Sequence, residues 1–554
     1  MSESSESTVY VNAVVFDGLA EGPRHEAFAV RGERFLAVGS ADEVRLAAGT
    51  DAKEVDLGGS FVMPGVIEAH AHLSMFGHAQ GKVQLRDCTT VEQIQERLLK
   101  ARRENPDAPR IEGVGWLFDA LPAGVSQPTA AMIDAVIDDV PVFLDANDLH
   151  STWVNSAALR AAGIDRTTVD PIGGEVVRDE DGEPTGFLLE NAALDLALSY
   201  LESVTTEHEG DMHLTQAFDA YLKAGVTGAV DMGMGESSWA ALRRLLGRDG
   251  RLPFPVSAHW LINPTGDAVA DLAQVERAVQ LRDELAAEGT PWLRVAGIKL
   301  ILDGVIDACT AAMVRPYADG TNADPIWNRE AVMPVAIAAD RAGLQLAMHA
   351  IGDAASELAA DIVVACEQAN GEDAARRPRI EHLESVAPQT VARMRAHGIV
   401  ASMQPVHCDP GILDNWMAVL GDQRAENGFP WDWFRDGEVP LALGTDAPTA
   451  PHEALHNLFI ATSGRSALDP ALTPYRPERA FTAAQALAAA TSGAAFAGRM
   501  DNTYGRIAPG FYANAAVLDL DPLSRPSDDL LSGSVLLTLV HGDVAHRAPT
   551  ASDS

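Results

Sequence analysis

A short apolar segment ends in two histidines: Val62-Met63-Pro64-Gly65-Val66-Ile67-Glu68-Ala69-His70-Ala71-His72. The side chains of a strand alternate between its two faces, so His70 and His72 are expected to point the same way. Two imidazoles directed together at the end of a strand can hold a divalent metal ion such as zinc. The pair is weak evidence by itself, because two histidines at this spacing are commonly ordinary polar residues.

The composition limits the classes of protein that the chain can be. Its 554 residues allow one large barrel with accessory elements, or two to three ordinary domains. The net charge of -38 argues against a nucleic acid or an anionic membrane as partner. The four cysteines are widely spaced, and the N-terminus is polar and acidic. We therefore expect a cytoplasmic protein without disulfides, a signal peptide or a membrane span.

The two ends of the chain share a β-rich pattern. Short runs rich in branched and aromatic residues lie between residues 8 and 62. Similar runs follow at residues 515–519 and 534–540. The pattern predicts one small β-sandwich domain built from both termini, with residues 1–63 and 498–554.

The middle of the chain alternates short apolar runs with helical stretches rich in alanine, leucine and arginine. This alternation predicts parallel βα units, and their number predicts an α/β fold, a (β/α)8 TIM barrel over residues 64–497. Residues 81–210 do not keep the rhythm and are predicted to form an insertion over the barrel mouth. The predicted barrel strands include residues 229–231, 255–258, 297–302, 344–348, 379–381, 399–402 and 441–444.

Metal-competent side chains follow the ends of the predicted barrel strands, where barrel enzymes place their catalytic residues. Lys299 is the most unusual of them, because it interrupts the apolar run 295–302. A buried lysine is costly unless it is paired or chemically modified. Random placement would put most of the 16 histidines on helices or loops. The residues at strand ends are His70, His72, Lys299, His349, His382 and Asp446.

With these residues the chain resembles the amidohydrolase superfamily, in particular the branch similar to N-substituted formamide deformylases. The resemblance covers essentially the whole chain. One departure is Ala513-Asn514, where the family usually has Ala-Asp, at a position outside the metal centre. The resemblance rests on Pro64-Gly65 before the histidine pair, Phe143-Leu144-Asp145, His150-Ser151-Thr152-Trp153, Lys299-Leu300-Ile301-Leu302-Asp303-Gly304, Met348-His349, Glu381-His382, Ser402-Met403-Gln404-Pro405, Gly444-Thr445-Asp446-Ala447-Pro448 and Gly505-Arg506-Ile507-Ala508-Pro509-Gly510.

The resemblance implies a centre of two metal ions in each chain. His70 and His72 would bind the first ion with Asp446 as its carboxylate ligand, and His349 and His382 would bind the second. A single ion is the alternative, since the number of metal ions varies within the superfamily. The nitrogen-rich ligands favour zinc, with iron, manganese and other divalent ions left open.

Lys299 has two interpretations at this point. The resemblance implies that carbon dioxide carboxylates its amine and that the carbamate oxygens bridge the two ions. This modification would explain why the chain tolerates a buried lysine. In the alternative, Lys299 stays uncarboxylated and forms a salt bridge with Asp446 or Glu381.

Further residues are candidates for roles in catalysis and in substrate binding. Asp446 would act as general base and then as general acid, and His150 could donate to the substrate carbonyl oxygen, although a loop-anchoring role explains His150 nearly as well. Three residues are candidates for contact with the substrate, with core packing as the alternative for the two tryptophans. Asp353 could orient His349, because metal-bound histidines usually need an acceptor for the second ring nitrogen. The substrate-contact candidates are Trp116, Trp153 and His407.

The expected activity is hydrolysis of a non-peptide carbon–nitrogen bond in a small amide by metal-activated hydroxide. The resemblance favours an N-substituted formamide or a cyclic amide, and analogy suggests a homodimer. Alternatives are an aminohydrolase that releases ammonia, an ester hydrolase, and an isomerase or decarboxylase that uses the same site. A catalytically silent binding protein is disfavoured, because it has no need to retain all six candidate ligands.

Overall fold

A computed structural model describes residues 6–549, apart from residues 123, 126, 147–150, 172–173, 191, 374, 422 and 526. The chain forms two compact units. The barrel unit comprises residues 1–73 and 218–554, and the inserted unit comprises residues 74–217. No helix in the described part of the chain has both the length and the hydropathy needed to cross a bilayer.

Eight parallel strands form the central sheet of the barrel unit. Each pairs with its neighbours in chain order, and the buried strands read as apolar runs because both faces are covered. The predicted (β/α)8 barrel is confirmed, and the predicted strand segments coincide with or overlap these strands. The strands are β1 (Val66–Ala71), β2 (Val226–Met234), β3 (Val256–Ile262), β4 (Leu293–Ile301), β5 (Gln345–Ala350), β6 (Arg379–His382), β7 (Val400–Met403) and β8 (Leu441–Leu443).

The barrel closes between β8 and β1. Their carboxyl ends meet where the backbone N–H of Asp446 donates to the His70 carbonyl at 3.0 Å. The Thr445 N–H donates to the Glu68 carboxylate at 2.8 Å, which ties the two strands together at the same level. Gly444 allows this approach, since a Cβ atom there would lie 2.7 Å from the His70 backbone nitrogen.

Helices connect successive barrel strands. The longest of them ends at Gly289, whose φ of +67° is the left-handed conformation that commonly terminates helices. Asn328 begins another by accepting the Ala331 N–H with its side chain. The α-helices after β2 are Glu236–Asp249, Ala268–Glu288, Arg329–Arg341, Asp353–Asn370, Pro388–Ala396, Leu413–Leu420, Gln423–Asn427, Trp431–Asp436, Ala454–Ser463, Ala483–Ala488 and Ala494–Ala497.

Two further sheets in the barrel unit contain the terminal strands. One has the order Arg34–Gly39, Ala27–Arg31, Ser7–Val11, Lys53–Asp56, with the helix Ala41–Ala48. The other has the order Asp543–Arg547, Val535–Val540, Ala515–Leu518, Phe61–Pro64, Val14–Phe16, Arg24–His25, so strands from both ends of the chain share one sheet. Their apolar side chains form a common core that includes Val15, Phe28, Val62, Val517 and Leu539.

The inserted unit has its own six-stranded sheet and its own apolar core. It begins and ends several residues outside the 81–210 segment predicted for the insertion. The strand order is Gly174–Arg178, Pro184–Glu190, Ser151–Val154, Val142–Ala146, Ile111–Trp116, Val83–Gln84. Its helices include Leu73–Gly81, Val91–Glu104, Ala130–Asp134, Ser156–Ala161, Ser199–Val204 and Glu207–Lys223, the first and last of which continue into the barrel unit.

Candidate metal centre

The histidine pair lies at the carboxyl end of β1. Strand alternation puts His70 and His72 on one side, and their ring centroids lie 5.3 Å apart. Asp446, just beyond β8, places Oδ1 3.1 Å from Nε2 of His72 and 3.5 Å from Nε2 of His70. The structure thus brings together the three residues expected to hold the first ion.

Lys299 lies close to this group. It is buried on β4, and its Nζ is 3.4 Å from Nε2 of His70. Burial lowers the pKa of Lys299 to about 8, although the negative charges of Glu381 and Asp446 favour its protonated form. The amine is therefore closer to its neutral, nucleophilic form than an exposed lysine would be at neutral pH.

His349 and His382 lie on the two neighbouring strands β5 and β6. Their ring centroids are 4.3 Å apart, and the His382 ring lies 4.9 Å from that of His70. His382 has a φ of +77°, an uncommon conformation for a residue other than glycine. Such strain occurs at functional sites, where the surrounding structure holds it in place.

The donor atoms of this region fit a metal ion. Among the described residues, the candidate ligand atoms of His70, His72 and Asp446 lie within 4.8 Å of one another, as do those of His382, His407 and Asp446. Asp446 Oδ1 and His382 Nδ1 are buried without a partner of good hydrogen-bond geometry in this part of the chain. Such buried polar atoms are costly unless something satisfies them, and a divalent cation would do so.

Glu381 fixes the orientation of His70. Its Oε2 lies 2.8 Å from His70 Nδ1, and Arg379 holds the same carboxylate through Nε at 2.5 Å from Oε1. Burial opposes ionisation of Glu381, but the charges of Arg379 and His70 hold its pKa well below the usual range. With Nδ1–H donated to Glu381, the Nε2 lone pair of His70 faces Asp446, which is the tautomer that a metal ligand needs.

His349 is oriented by a different acceptor from the one expected. Its Nε2 lies 3.2 Å from the Gly304 carbonyl oxygen and 3.6 Å from Asp303 Oδ1. The expected partner, Asp353, instead accepts the Val314 N–H at 2.8 Å. The Asp303 carboxylate accepts the N–H groups of Ala312, Ile351 and Gly352, so it holds the loop that follows His349.

Glu68 holds the seam between β1 and β8. Its carboxylate accepts the backbone N–H groups of His70 and Thr445 and the Thr445 hydroxyl, at 3.1, 2.8 and 2.7 Å. Burial outweighs these hydrogen bonds and raises the pKa of Glu68 to about 7. The position of Asp446 relative to His70 therefore depends on a buried carboxyl group between the two strands.

The electrostatic environment leaves the candidate ligands in metal-binding states. Burial lowers the pKa of His70 to about 4 and that of His349 to about 3. Burial would raise the pKa of Asp446, but His70 and His72 hold it well below its usual range. Neutral imidazoles and an ionised carboxylate are the forms that bind divalent metals.

His407 belongs to the same group of side chains. Its Nε2 lies 3.7 Å from Asp446 Oδ2, and its Nδ1 lies 3.6 Å from Glu384 Oε1. Burial disfavours the charged ring, but the Glu384 and Asp446 carboxylates raise the pKa of His407. The structure thus places this candidate for substrate contact among the candidate metal ligands.

The two tryptophan candidates lie in the core of the inserted unit. Trp116 and Trp153 are fully buried, and their indole N–H groups donate to the carbonyl oxygens of Leu144 and Thr129 at 3.0 and 2.9 Å. Their positions agree with core packing and speak against the expected contact with substrate, since neither ring nor N–H is available. His150 lies outside the described residues.

The sequence did not predict the roles of four functional residues, Glu68, Arg379, Glu381 and Glu384. It suggested Glu381 only as an alternative salt-bridge partner of Lys299. All are charged, and all are buried in or directly after barrel strands. A charged side chain within an apolar strand is costly unless it is paired. That signal could have identified Glu68 and Glu381 as partners of the neighbouring histidines.

Strand ends of a barrel that carry clustered imidazoles, a buried lysine and a carboxylate define a metal-dependent hydrolase. A family model described as the amidohydrolase family matches residues 53–546. The chain belongs to the amidohydrolase family, and it is an enzyme that hydrolyses carbon–nitrogen bonds. The expected family membership and enzyme class are confirmed.

Individual proteins show the same relationship. The N-substituted formamide deformylase of Arthrobacter pascens is 29% identical over 546 residues, covering 96% of this chain and 97% of that protein. Protein LONG AFTER FAR-RED 3 of Arabidopsis thaliana is 31% identical over 544 residues, covering 96% of this chain and 90% of that protein. An uncharacterized metal-dependent hydrolase from Pyrococcus furiosus superposes with a TM-score of 0.75 at 25% identity, covering 94% of this chain and 100% of that structure.

Proposed function

We propose that the enzyme hydrolyses a non-peptide carbon–nitrogen bond in a small amide, either an N-substituted formamide or a cyclic amide. The observation that carries this proposal is the convergence of His70, Lys299 and Asp446 from three separate strands at one end of the barrel. The similarity to an N-substituted formamide deformylase along 96% of the chain supports the formamide class.

The candidate ligands suit two divalent ions. His70, His72 and Asp446 would hold the first, and His349 and His382 the second. We assign zinc, because neutral imidazoles favour it over magnesium or calcium. When bound, the ions supply hydroxide from water at neutral pH and polarise the substrate carbonyl.

Lys299 would bridge the two ions as a carbamate. Its burial and its pKa of about 8 make its amine a better nucleophile toward carbon dioxide than an exposed lysine. The 3.4 Å distance from Nζ to His70 Nε2 supports this role, because added carbamate oxygens would reach the ligand atoms around His70. A ¹³C carbamate signal from enzyme equilibrated with labelled bicarbonate, absent in Lys299→Ala, tests the modification.

Asp446 would move the proton in the reaction. Its carboxylate accepts a proton from the attacking water, whose oxygen forms the new bond to the carbonyl carbon. Asp446 then delivers that proton to the nitrogen as the carbon–nitrogen bond breaks. The products are a carboxylic acid and an amine, so the protons and the electron pairs balance.

A substrate panel tests the proposed reaction. Metal-loaded enzyme is offered N-substituted formamides, cyclic amides, amino-heterocycles and esters, and the products are scored as amine, ammonia, alcohol and acid. We expect amine and acid, with one atom of ¹⁸O from labelled water in the acid. Ammonia from amino-heterocycles alone, or alcohol from esters alone, would replace the proposal with an aminohydrolase or an esterase.

Replacement of Asp446 tests its role in proton transfer. Asp446→Asn should lower kcat by about 10²–10⁴-fold, because the amide cannot accept the proton. The metal content of this variant is measured in parallel, since Asp446 is also a candidate ligand. His397→Ala is the control, because His397 pairs with Glu367 on the barrel exterior and should leave kcat unchanged. Full activity in Asp446→Asn would contradict the assignment.

A further inference from the structure

His407 lies between two carboxylates at the candidate metal centre. Its Nδ1 faces the Glu384 carboxylate at 3.6 Å, and its Nε2 faces Asp446 Oδ2 at 3.7 Å. His407 Nε2 also lies 3.3 Å from the Thr449 hydroxyl oxygen. A protonated ring satisfies both carboxylates, whereas a neutral ring with Nδ1–H directed to Glu384 leaves its Nε2 lone pair facing Asp446. A metal ion would take the place of the Nε2 proton, with the Nε2 lone pair and the Asp446 carboxylate as its ligand atoms.

Glu384 is itself fixed in place. It is almost fully buried, and its Oε2 accepts the indole N–H of Trp416 at 2.8 Å. A metal-ligating histidine typically donates its second ring N–H to a carboxylate that is held by further hydrogen bonds. In the Trp416–Glu384–His407 series the carboxylate lies 3.6 Å from His407 Nδ1, longer than the 2.8 Å between Glu381 and His70 Nδ1, so it would need to move closer to accept the Nδ1–H.

The ring separations also favour His407 as a ligand. With a Zn–N distance of about 2.1 Å, a ligating ring centroid lies roughly 3.2 Å from the ion. The His382–His407 separation of 5.7 Å would then subtend about 125° at the ion, within about 20° of the tetrahedral angle of about 109°.

We propose that His407 is a further ligand of the second ion, beside His349 and His382, with Glu384 as its positioning residue. The assignment rests on the two-ion centre of the proposed function and differs from the expected role of His407 in substrate contact. It also gives Glu384 a purpose, since a buried carboxylate directed at a histidine fixes the ring tautomer. Asp446 Oδ2, 3.7 Å from His407 Nε2, would hold the proton taken from water.

Cobalt binding to the metal-free full-length enzyme tests this assignment. Bound cobalt per chain and its visible absorption are measured for wild type, His407→Ala and His407→Gln. We expect wild type to take up two ions, and both variants to bind the first ion normally and the second at least about tenfold more weakly. An unchanged affinity for the second ion in the folded His407 variants would overturn the proposal.

Glu384→Gln tests the positioning role separately. A glutamine amide can still accept the Trp416 N–H, but it would donate to His407 Nδ1 and move the ring proton to Nε2. The second ion should then bind about 10–100-fold more weakly. His397→Ala is the matched control, because it removes a histidine–carboxylate pair away from the centre and should bind cobalt as wild type does. Unchanged cobalt affinity in Glu384→Gln would contradict the positioning role.

The outcomes separate this inference from the proposed function. If wild type binds two ions and the His407 variants bind both with the same affinity, the two-ion centre is retained and His407 is not one of its ligands. If wild type binds one ion and His407→Ala weakens the binding of that ion, His407 is a ligand of a one-ion centre and the second ion of the proposed function is rejected. The substrate panel measures amide hydrolysis separately, so neither metal-binding result depends on it.

Discussion

At the residue scale, the centre depends on acceptors that hold each imidazole in one tautomer. Glu381 lies beside Nδ1 of His70, the Gly304 carbonyl oxygen lies beside Nε2 of His349, and Glu384 faces Nδ1 of His407. Each acceptor faces one ring nitrogen, at 2.8, 3.2 and 3.6 Å respectively, so the other nitrogen is the one directed at a metal ion. Removing an acceptor should therefore weaken metal binding even though no ligand is lost.

Replacing Glu381 should have the largest effect of this kind. Glu381→Gln should weaken binding of the first ion by about 10–100-fold, because His70 loses its charged acceptor. It should also destabilise the fold by about 3–5 kcal/mol, because fully buried Arg379 loses its ion-pair partner. Metal titration and urea unfolding measure the two effects.

The matched control is Glu367→Gln, which alters a histidine–carboxylate pair outside the centre. It should change the free energy of unfolding by less than about 1 kcal/mol. Equal stabilities of the two variants would show that the Arg379–Glu381 pair does not hold the centre.

The sequence predicted the ligands better than their partners, for a physical reason. His70 and His72 follow the two-residue period of a strand, so their common direction is readable from spacing alone. His382 departs from that period with its φ of +77°, and both His382 and the adjacent Glu381 lie beside His70. Asp303 and Glu384 act through tertiary contacts with loops and helices distant in sequence, and no local pattern records such contacts.

At the element scale, the seam between β8 and β1 determines where Asp446 lies. The seam depends on the hydrogen bonds of Glu68 and on the absence of a side chain at Gly444. The parallel order of the barrel follows from the alternation of strands and helices, which is why the barrel could be predicted. The close approach at Gly444 could not, because it depends on the final packing of two strands far apart in sequence.

A side chain at Gly444 should open this seam. In Gly444→Ala the new Cβ would meet Glu68 Oε1 and the His70 backbone nitrogen at 2.4 and 2.7 Å. We expect a loss of stability of about 1–3 kcal/mol and weaker binding of the first ion, since Asp446 moves away from His70. Chemical unfolding and metal content are the measurements.

Gly247→Ala is the control for this substitution. Gly247 lies within the helix Glu236–Asp249, and nothing lies within 4 Å of its added Cβ. Alanine there should stabilise the protein by about 0.5–1 kcal/mol. Wild-type stability and metal content in Gly444→Ala would contradict the proposed role of the seam.

At the scale of the whole molecule, an aromatic stack connects the terminal sheet of the barrel unit to the barrel. His541 follows the strand Val535–Val540, and its ring lies 3.9 Å from the Tyr512 ring and 4.1 Å from the Trp292 ring. Its Nε2 lies 2.9 Å from the Tyr504 hydroxyl. The pairing of N- and C-terminal strands was predictable from composition, but this stack was not, because its four rings come from distant segments.

The buried His541 should make stability depend on pH. Burial lowers the pKa of His541 to about 4, whereas an unfolded histidine titrates near pH 6.5. The unfolded chain therefore binds more protons below pH 6.5, and stability falls as the pH drops toward 4. Between pH 7.5 and pH 5 the contribution of His541 should fall by about 2 kcal/mol.

Urea unfolding of wild type and His541→Gln at these two pH values isolates this effect. The variant is less stable at pH 7.5, and it should lose about 2 kcal/mol less than wild type on acidification. An identical loss in both proteins would show that His541 does not remain neutral in the folded state.

The central claim is a two-ion centre organised around Lys299. The metal content per chain of wild type and of Lys299→Ala, each purified with excess zinc and bicarbonate, tests it most directly. Lysine supplies the proposed bridge, so we predict two ions in wild type and one or none in the variant. Two ions in both proteins would contradict the claim.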